Sequence, residues 1–344
     1  MMKIVLSALV ALVASAAPAL SADLRMVRKA APVEAPPPSP WDIAFGANIM
    51  SNYVFRGITQ SDNSASAGAY FEPRYNILEN WQLYAGIAGQ SISFANRAAA
   101  EIDFYGGVRP TFGPITFDLG FIYYHYPSGQ CFAGATDGLG NPNSPDCVLN
   151  GPLPINGNVT KAKADFHEWY AKASYTINDM WTVGGNFFYT PSYANTGADG
   201  EYLSGTLKFT VPGSMLPMGI GAYLSGEFGR QWFGTSDSFY GIAAGTAIAT
   251  GGVTTGIFAG GVPYKDYDTW NVGGGFTWKV FTLDLRYSDT NLSDGDCNAL
   301  TSDFTASGGG LNVTSINPAG FGSSWFGSTF IARLSADMTL GSLK

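Results

Sequence analysis

Apolar and polar residues alternate with a period of two in twelve stretches of the chain. In the first, Trp41, Ile43, Phe45, Ala47, Ile49, Tyr53 and Phe55 share one parity, while Asp42, Gly46, Asn48, Asn52 and Arg56 share the other. The split recurs at Phe71, Tyr75 and Ile77 against Glu72, Arg74 and Asn76, and at Trp81, Leu83, Ala85 and Ile87 against Gln82, Gly86 and Gln90. Nine further runs, opening at Ile102, Ile115, Trp169, Trp181, Leu203, Ile220, Trp270, Phe281 and Phe326, repeat it. Such strands bury one face and wet the other, and in a bilayer every backbone N–H and C=O must find its partner within the protein. The pattern therefore predicts an all-β fold: a transmembrane up-and-down antiparallel β-barrel of 12 strands, apolar parity toward lipid and polar parity toward the bore.

The connections set the orientation. Short links at Glu79-Asn80, Gly113-Pro114, Asn178-Asp179, Pro212 to Pro217 and Lys279-Val280 alternate with connections that include 127–162, 233–266 and 291–325. Short periplasmic turns and long extracellular loops are the outer-membrane arrangement, with both termini in the periplasm. Trp41, Trp81, Trp181 and Phe281 open strands at the periplasmic end, where an aromatic girdle is expected. Tyr53 and Phe55, at the far end of the first strand, are expected to join the external belt. A secreted β-sandwich is the competing class, but it would gather its aromatics in a core rather than on one continuous outer face.

Residues 1–22 read as a secretory signal peptide: basic Lys3, an apolar run from Ile4 to Ala17, and small residues suited to cleavage after Ser21 or Ala22. Residues 23–40 carry five prolines and read as a periplasmic linker, leaving 41–344 for the barrel. Composition agrees, with 44 glycines in 344 residues, 14% aromatic and only 13% charged. That glycine share is nearly double the usual one.

The segment Ser51-Asn52-Tyr53-Val54-Phe55-Arg56-Gly57-Ile58-Thr59-Gln60 resembles the first-strand motif of the TorF-type porins of proteobacteria, a family also catalogued as being of unknown function. Trp81 to Gly86, Glu101 to Gly107 and Phe166 to Tyr170 resemble its later blocks, in order. The resemblance implies an outer-membrane barrel with porin character and names no substrate. The chain departs from the pattern in its large loops and in ending Leu340-Gly341-Ser342-Leu343-Lys344 rather than on an aromatic.

Parity selects the candidate pore-lining residues: Arg56, Glu72, Arg74, Glu101, Asp103, Arg109, Asp118, Glu168, Lys172, Lys208, Glu227, Asp284, Arg286 and Arg333. Acids and bases nearly balance, which argues against strong charge selectivity. The expected function is passive diffusion of small hydrophilic solutes; the alternative is a plugged structural or adhesive barrel, its charges paired across strands to stiffen a filled bore. No cofactor, metal site or nucleic-acid partner is expected. The expected surroundings are outer-membrane lipid and lipopolysaccharide, with homo-oligomers left open.

Three cysteines suit an oxidising compartment and leave one unpaired; Cys131–Cys147, within one outer loop, is the favoured disulfide, and pairing of Cys297 with either of them is the alternative left open. His125 and His167 are expected side by side at the external interface as part of the belt. Catalysis would need a nucleophile and base such as Ser128 with His125, but no Gly-x-Ser-x-Gly elbow is present and no enzyme is expected. Residues 241–262 carry no charge, so they are expected either to fold inward as a constriction or to form a hairpin over Ala247 to Thr255 above the membrane.

Overall fold

The computed structural model describes residues 40–132, 159–217, 219–242 and 258–343. The signal peptide, all of the linker but Pro40, Cys147 and the centre of the 241–262 loop lie outside the described residues.

The strands are β1 (Trp41–Met50), β2 (Val54–Phe55), β3 (Ile58–Thr59), β4 (Ser66–Leu78), β5 (Trp81–Ser91), β6 (Ala100–Phe112) and β7 (Ile115–His125). There follow β8 (Phe166–Thr176), β9 (Trp181–Thr190), β10 (Gly200–Thr210), β11 (Ile220–Phe233), β12 (Tyr267–Trp278), β13 (Phe281–Thr290) and β14 (Thr329–Thr339). Twelve of these close an antiparallel barrel in which each strand pairs with its neighbours in sequence and β1 pairs with both β4 and β14. The remaining two, β2 and β3, form a separate two-stranded ribbon. Barrel strands of 10 to 14 residues suffice for a tilted transmembrane span, which needs about 9–11.

The parity read from sequence holds along the wall. Ile49, Phe71, Phe104, Trp169, Leu203, Leu224, Phe228, Val272, Phe276 and Leu285 are exposed on the outer face. Their neighbours of opposite parity, among them Glu72, Arg74, Tyr84, Glu101, Glu168, Tyr202 and Ser225, are buried inside. An outer coat of this kind cannot face water without large apolar exposure, so lipid is its solvent. No helix among the described residues is long and apolar enough to cross a membrane; the crossing is made by strands.

Local chemistry fixes the periplasmic turns. Asn178 Oδ1 accepts from the backbone N–H of Met180 and Trp181, both at 2.9 Å, closing β8 onto β9 by an Asx turn. Gly113 and Lys279 take positive φ in the other tight links.

Two expectations fail at the external end. The first strand was expected to run to Arg56, with Tyr53 and Phe55 outward. Instead β1 stops at Met50, and the next residues turn into the bore as the β2–β3 hairpin. The turn is Arg56-Gly57, with φ of 47° and 79°; two successive positive values characterise the hairpin turn whose twist matches its strands. Parity alone misses this, because a β-ribbon keeps the same alternation after it changes direction. The last run was expected from Phe326, but β14 begins at Thr329 and Phe326 instead bridges to Ile58.

The connection between β13 and β14 also folds over the mouth. It contains helix α1 (Asp294–Thr301), whose N-cap Ser293 accepts from the N–H of Asp296 at 3.2 Å, and it delivers Trp325 and Cys297 into a second apolar cluster with Ile58, Val262, Tyr264 and Leu300. The ends of the 241–262 loop are joined by a bridge between Ile242 and Phe258.

Candidate functional site in the bore

The hairpin reaches across the barrel because its tip is one glycine wide. A Cβ on Gly57 would stand 2.2 Å from Thr290 Cγ2 and 2.7 Å from Thr269 Oγ1. Arg56, beside it, is enclosed. Its Nη1 and Nη2 donate to Glu168 Oε1 and Oε2, each at 2.8 Å, and Nη1 also donates to Gln231 Oε1 at 3.1 Å. The guanidinium lies 4.6 Å from the Phe55 ring centroid, 4.8 Å from Phe188 and 4.5 Å from Tyr202. Tyr267 Oη donates to the Arg56 carbonyl at 3.0 Å. Side-chain exposure of the ion pair is 6% for Arg56 and 1% for Glu168, so this is a buried, bidentate, charge-assisted pair.

A second anchor sits one residue pair back. Tyr53 Oη donates to Glu101 Oε1 at 2.6 Å, and Tyr126 Oη donates to Glu101 Oε2 at 2.8 Å. Phe55 packs edge-on to Tyr124 at 6.0 Å, and Tyr124 Oη donates to Glu168 Oε2 at 3.1 Å. Asp103, two residues from Glu101 on the same face, is buried and its Oδ1 has no hydrogen-bond partner. The return arm is tied to the mouth by the Thr59 N–H to the Trp325 carbonyl at 2.7 Å.

Nearer the periplasm the remaining candidates form two groups. On the β4–β8 wall, Glu72 accepts from Arg74 Nε at 2.6 Å and Arg109 Nη1 at 2.7 Å. Arg109 Nε also donates to Asp118 at 3.1 Å, and Tyr84 Oη hydrogen-bonds with both Asp118 and Tyr170. Lys172 Nζ lies 4.5 Å from the Tyr170 ring. On the β11–β14 wall, Arg286 donates to Asp284, Asn271 and Ser225, while Tyr223 Oη donates to Asp284 at 2.7 Å. Glu227 accepts from Tyr202 and Asn271, Lys208 stacks on Tyr223 at 4.8 Å, and Arg333 Nε is buried without a hydrogen-bond partner. Arg74, Arg109 and Arg286 are thus paired with carboxylates on their own wall, whereas Lys172 and Lys208 lie against aromatic rings. Tyr70 Oη, donating to Asp337 at 3.1 Å across Gly46 of β1, joins the two walls.

Other sequence expectations resolve differently. The register sets Tyr123, not His125, opposite His167, making the histidines diagonal neighbours. His125 Nδ1 lies 2.9 Å from Asp165 Oδ2, and the His167 ring packs on Phe121 at 5.3 Å, so each imidazole has its own partners. Ser128 makes no hydrogen bond to His125 among the described residues. Cys131 is buried; its expected partner Cys147 is outside the described residues. Cys297 is a free, fully buried thiol, and burial pushes it up to about 12.

Sequence reading missed Phe188, Tyr202, Gln231 and Tyr267 as the cage around Arg56. The available signal was the Arg56-Gly57 pair between Val54-Phe55 and Ile58-Thr59, an x-Gly step between short β-formers.

Residues 34–140, about a third of the chain, match a family described as "Bacterial protein of unknown function (Gcw_chp)". No curated protein matches. Among solved structures, the chain is similar to the COG4313 outer membrane channel from Pseudomonas putida F1, with 9% identity over 89% of this chain and 97% of that one and a TM-score of 0.39. A Pseudomonas aeruginosa FadL homologue shows 10% identity over 87% and 90%, TM-score 0.39. The P. putida toluene transporter TodX shows 11% over 88% and 90%, TM-score 0.34. At that distance nothing of their activities carries over. The closed twelve-stranded barrel with its apolar coat places the chain in the bacterial outer membrane.

Proposed function

We propose that the barrel is a channel for passive diffusion of small hydrophilic solutes, held closed at its external end by the hairpin that carries Arg56. The observation that carries this reading is a difference in exposure between the two levels of the bore. Toward the periplasm, side-chain exposure is 18% for Arg109, 20% for Asp118, 17% for Arg286 and 15% for Asp284, although Arg74 and Glu72 are closed there, against 6% and 1% for Arg56 and Glu168 above them. Water therefore reaches part of the lower bore and is excluded at the hairpin. A lining of paired charges and tyrosine hydroxyls supplies a solute with hydrogen-bonding replacements for its lost hydration, and near-neutrality leaves little ion selectivity. The resemblance of residues 51–60 to the TorF-type porins points the same way. In this reading the candidate residues from Glu72 to Arg333 line the path, Cys131–Cys147 staples an outer loop, and lipopolysaccharide surrounds the rim.

The burial of the Arg56 pair also favours a second reading, a permanently plugged structural barrel. Planar-bilayer recordings separate the two. The wild-type chain is compared with a variant in which residues 52–60 are replaced by a Gly-Ser segment of equal length. The channel reading expects brief, rare openings in the first and steady conductance in the second. A folded variant that stays insulating would establish the plugged barrel instead.

A further inference from the structure

The inward turn of the chain after Met50 leaves a notch in the barrel wall. β1 and β14 are in register up to the pair Met50 and Arg333. One step further the Ser51 N–H donates to the Ala332 carbonyl at 2.9 Å and Ser51 Oγ accepts from the Ala332 N–H at 3.0 Å. Beyond that β14 continues outward, paired with β13 through Ile331, Phe330 and Thr329, but with no strand on its other side. Three residues at about 3.3 Å each make an opening about 10 Å tall. Backbone groups alternate in direction along a strand, and those of Ala332 face β1; those of Phe330 therefore face the notch, where no strand is left to receive them.

Behind the notch is a cavity of about 300 Å³ between the hairpin and the start of β14. That is the small end of the usual range for ligand pockets, roughly 300–1,000 Å³. Its polar lining comes from Asn52, Thr59, Asn63, Ser324, Ser328 and Thr329, and none of its lining residues is ionisable. In front of the notch the surface is apolar. Phe330 is 81% exposed, because the register would have set Tyr53 opposite it had β1 continued, and Tyr53 is inside the bore.

From this arrangement we infer that the notch is a lateral binding site for an uncharged amphiphile, its hydroxyl- or amide-bearing head in the cavity and its hydrocarbon chain along Phe330 and Ile49. Three observations converge. Unpaired backbone N–H and C=O at a lipid-facing edge need a hydrogen-bonding partner. Asn52, Thr59 and Asn63 hydrogen-bond one another at the back of the cavity, the hydroxyls of Ser324 and Thr329 complete a polar lining for such a head, and no charge compensates an ionised one, which would pay its full desolvation cost. The apolar sill lies outside the wall, where only a tail embedded in the bilayer reaches it. The site does not depend on conduction.

The test uses the full chain in phosphatidylcholine vesicles with an alkyl glucoside carrying a diazirine in its tail. After irradiation, peptide mapping is expected to place adducts at Ile49 and Phe330, at least tenfold above Leu224 and Val272, which are exposed on other strands. An alkyl sulfate with the same tail is expected to label the notch at least tenfold less. Thr329→Trp, filling the cavity, is expected to abolish the preference; the wild-type map stands alone if that variant fails to fold. A diazirine glycosyl diacylglycerol built into the vesicle marks a lipid seat if it labels the same residues, and a free-solute site if only the short glucoside does. Even labelling around the barrel, or equal labelling by the sulfate, would overturn the inference.

Discussion

The pair between Arg56 and Glu168 makes a quantitative claim about what closes the bore. Replacing Glu168 by Gln keeps the shape but removes the charge, leaving a guanidinium among Phe55, Phe188 and Tyr202 with 6% exposure and no counter-ion in contact. Breaking a buried pair from one side costs about 3–5 kcal/mol, and the retained amide acceptor puts this case at about 3. At about 1.4 kcal/mol per factor of ten, the ratio of docked to undocked hairpin falls roughly a hundredfold. The other anchors, Tyr53 to Glu101 and Thr59 to Trp325, keep this an upper bound on what one substitution releases. Trypsin reads the population directly, because it cuts after Arg56 only when the hairpin leaves the bore. Intact vesicles with the external face outward should show cleavage at Arg56 at least tenfold faster in Glu168→Gln than in wild type, with channel open probability rising in parallel. The double variant Arg56→Met, Glu168→Gln should restore closure in the recordings, since an apolar side chain suits that cage where an unpaired charge does not. Cleavage and open probability both within twofold of wild type would refute the claim that this pair holds the hairpin.

Further outcomes follow from the same geometry. Gly57→Ala forces a side chain into the left-handed region, at about 1–2 kcal/mol, and against Thr290 and Thr269, so it should raise open probability without lowering barrel yield. Val272→Arg places a charge at mid-strand on the lipid face and should cost about 2–4 kcal/mol in urea-monitored folding into vesicles, whereas Thr206→Val on the inner face should cost far less. Burial raises the Cys297 thiol from 9.0 to about 12, so at pH 8 the native chain should resist maleimide for hours. Denatured without reductant it should then take up one maleimide per chain if Cys131 and Cys147 are bridged and three if they are not.

How much of this was legible differs along the chain. In the wall nearly everything was: Trp81, Leu83 and Ile87 face lipid and Gln82 faces inward because a strand offers only two directions and the bilayer assigns one to each. The turns at Asn178 and Gly113 carry their own chemistry in one or two residues. The mouth was not legible in the same way. Tyr53 and Phe55 obeyed the alternation and still went inside, because period two reports which face of a ribbon a residue occupies and not where the ribbon points. The histidine pairing failed by two residues of register, which depends on how far each neighbouring strand extends rather than on either residue.

The sequence by itself determined that a β-barrel forms, how many strands it has, which face meets lipid and which end holds the short turns, because those follow from local alternation and turn residues repeated twelve times. The tertiary structure decided that the strand containing the Ser51–Gln60 motif breaks, that Arg56 finds Glu168 more than a hundred residues away, and that the wall is left notched beside β14. Those outcomes depend on contacts between segments far apart in the chain, and no local pattern encodes which buried carboxylate a given arginine will meet.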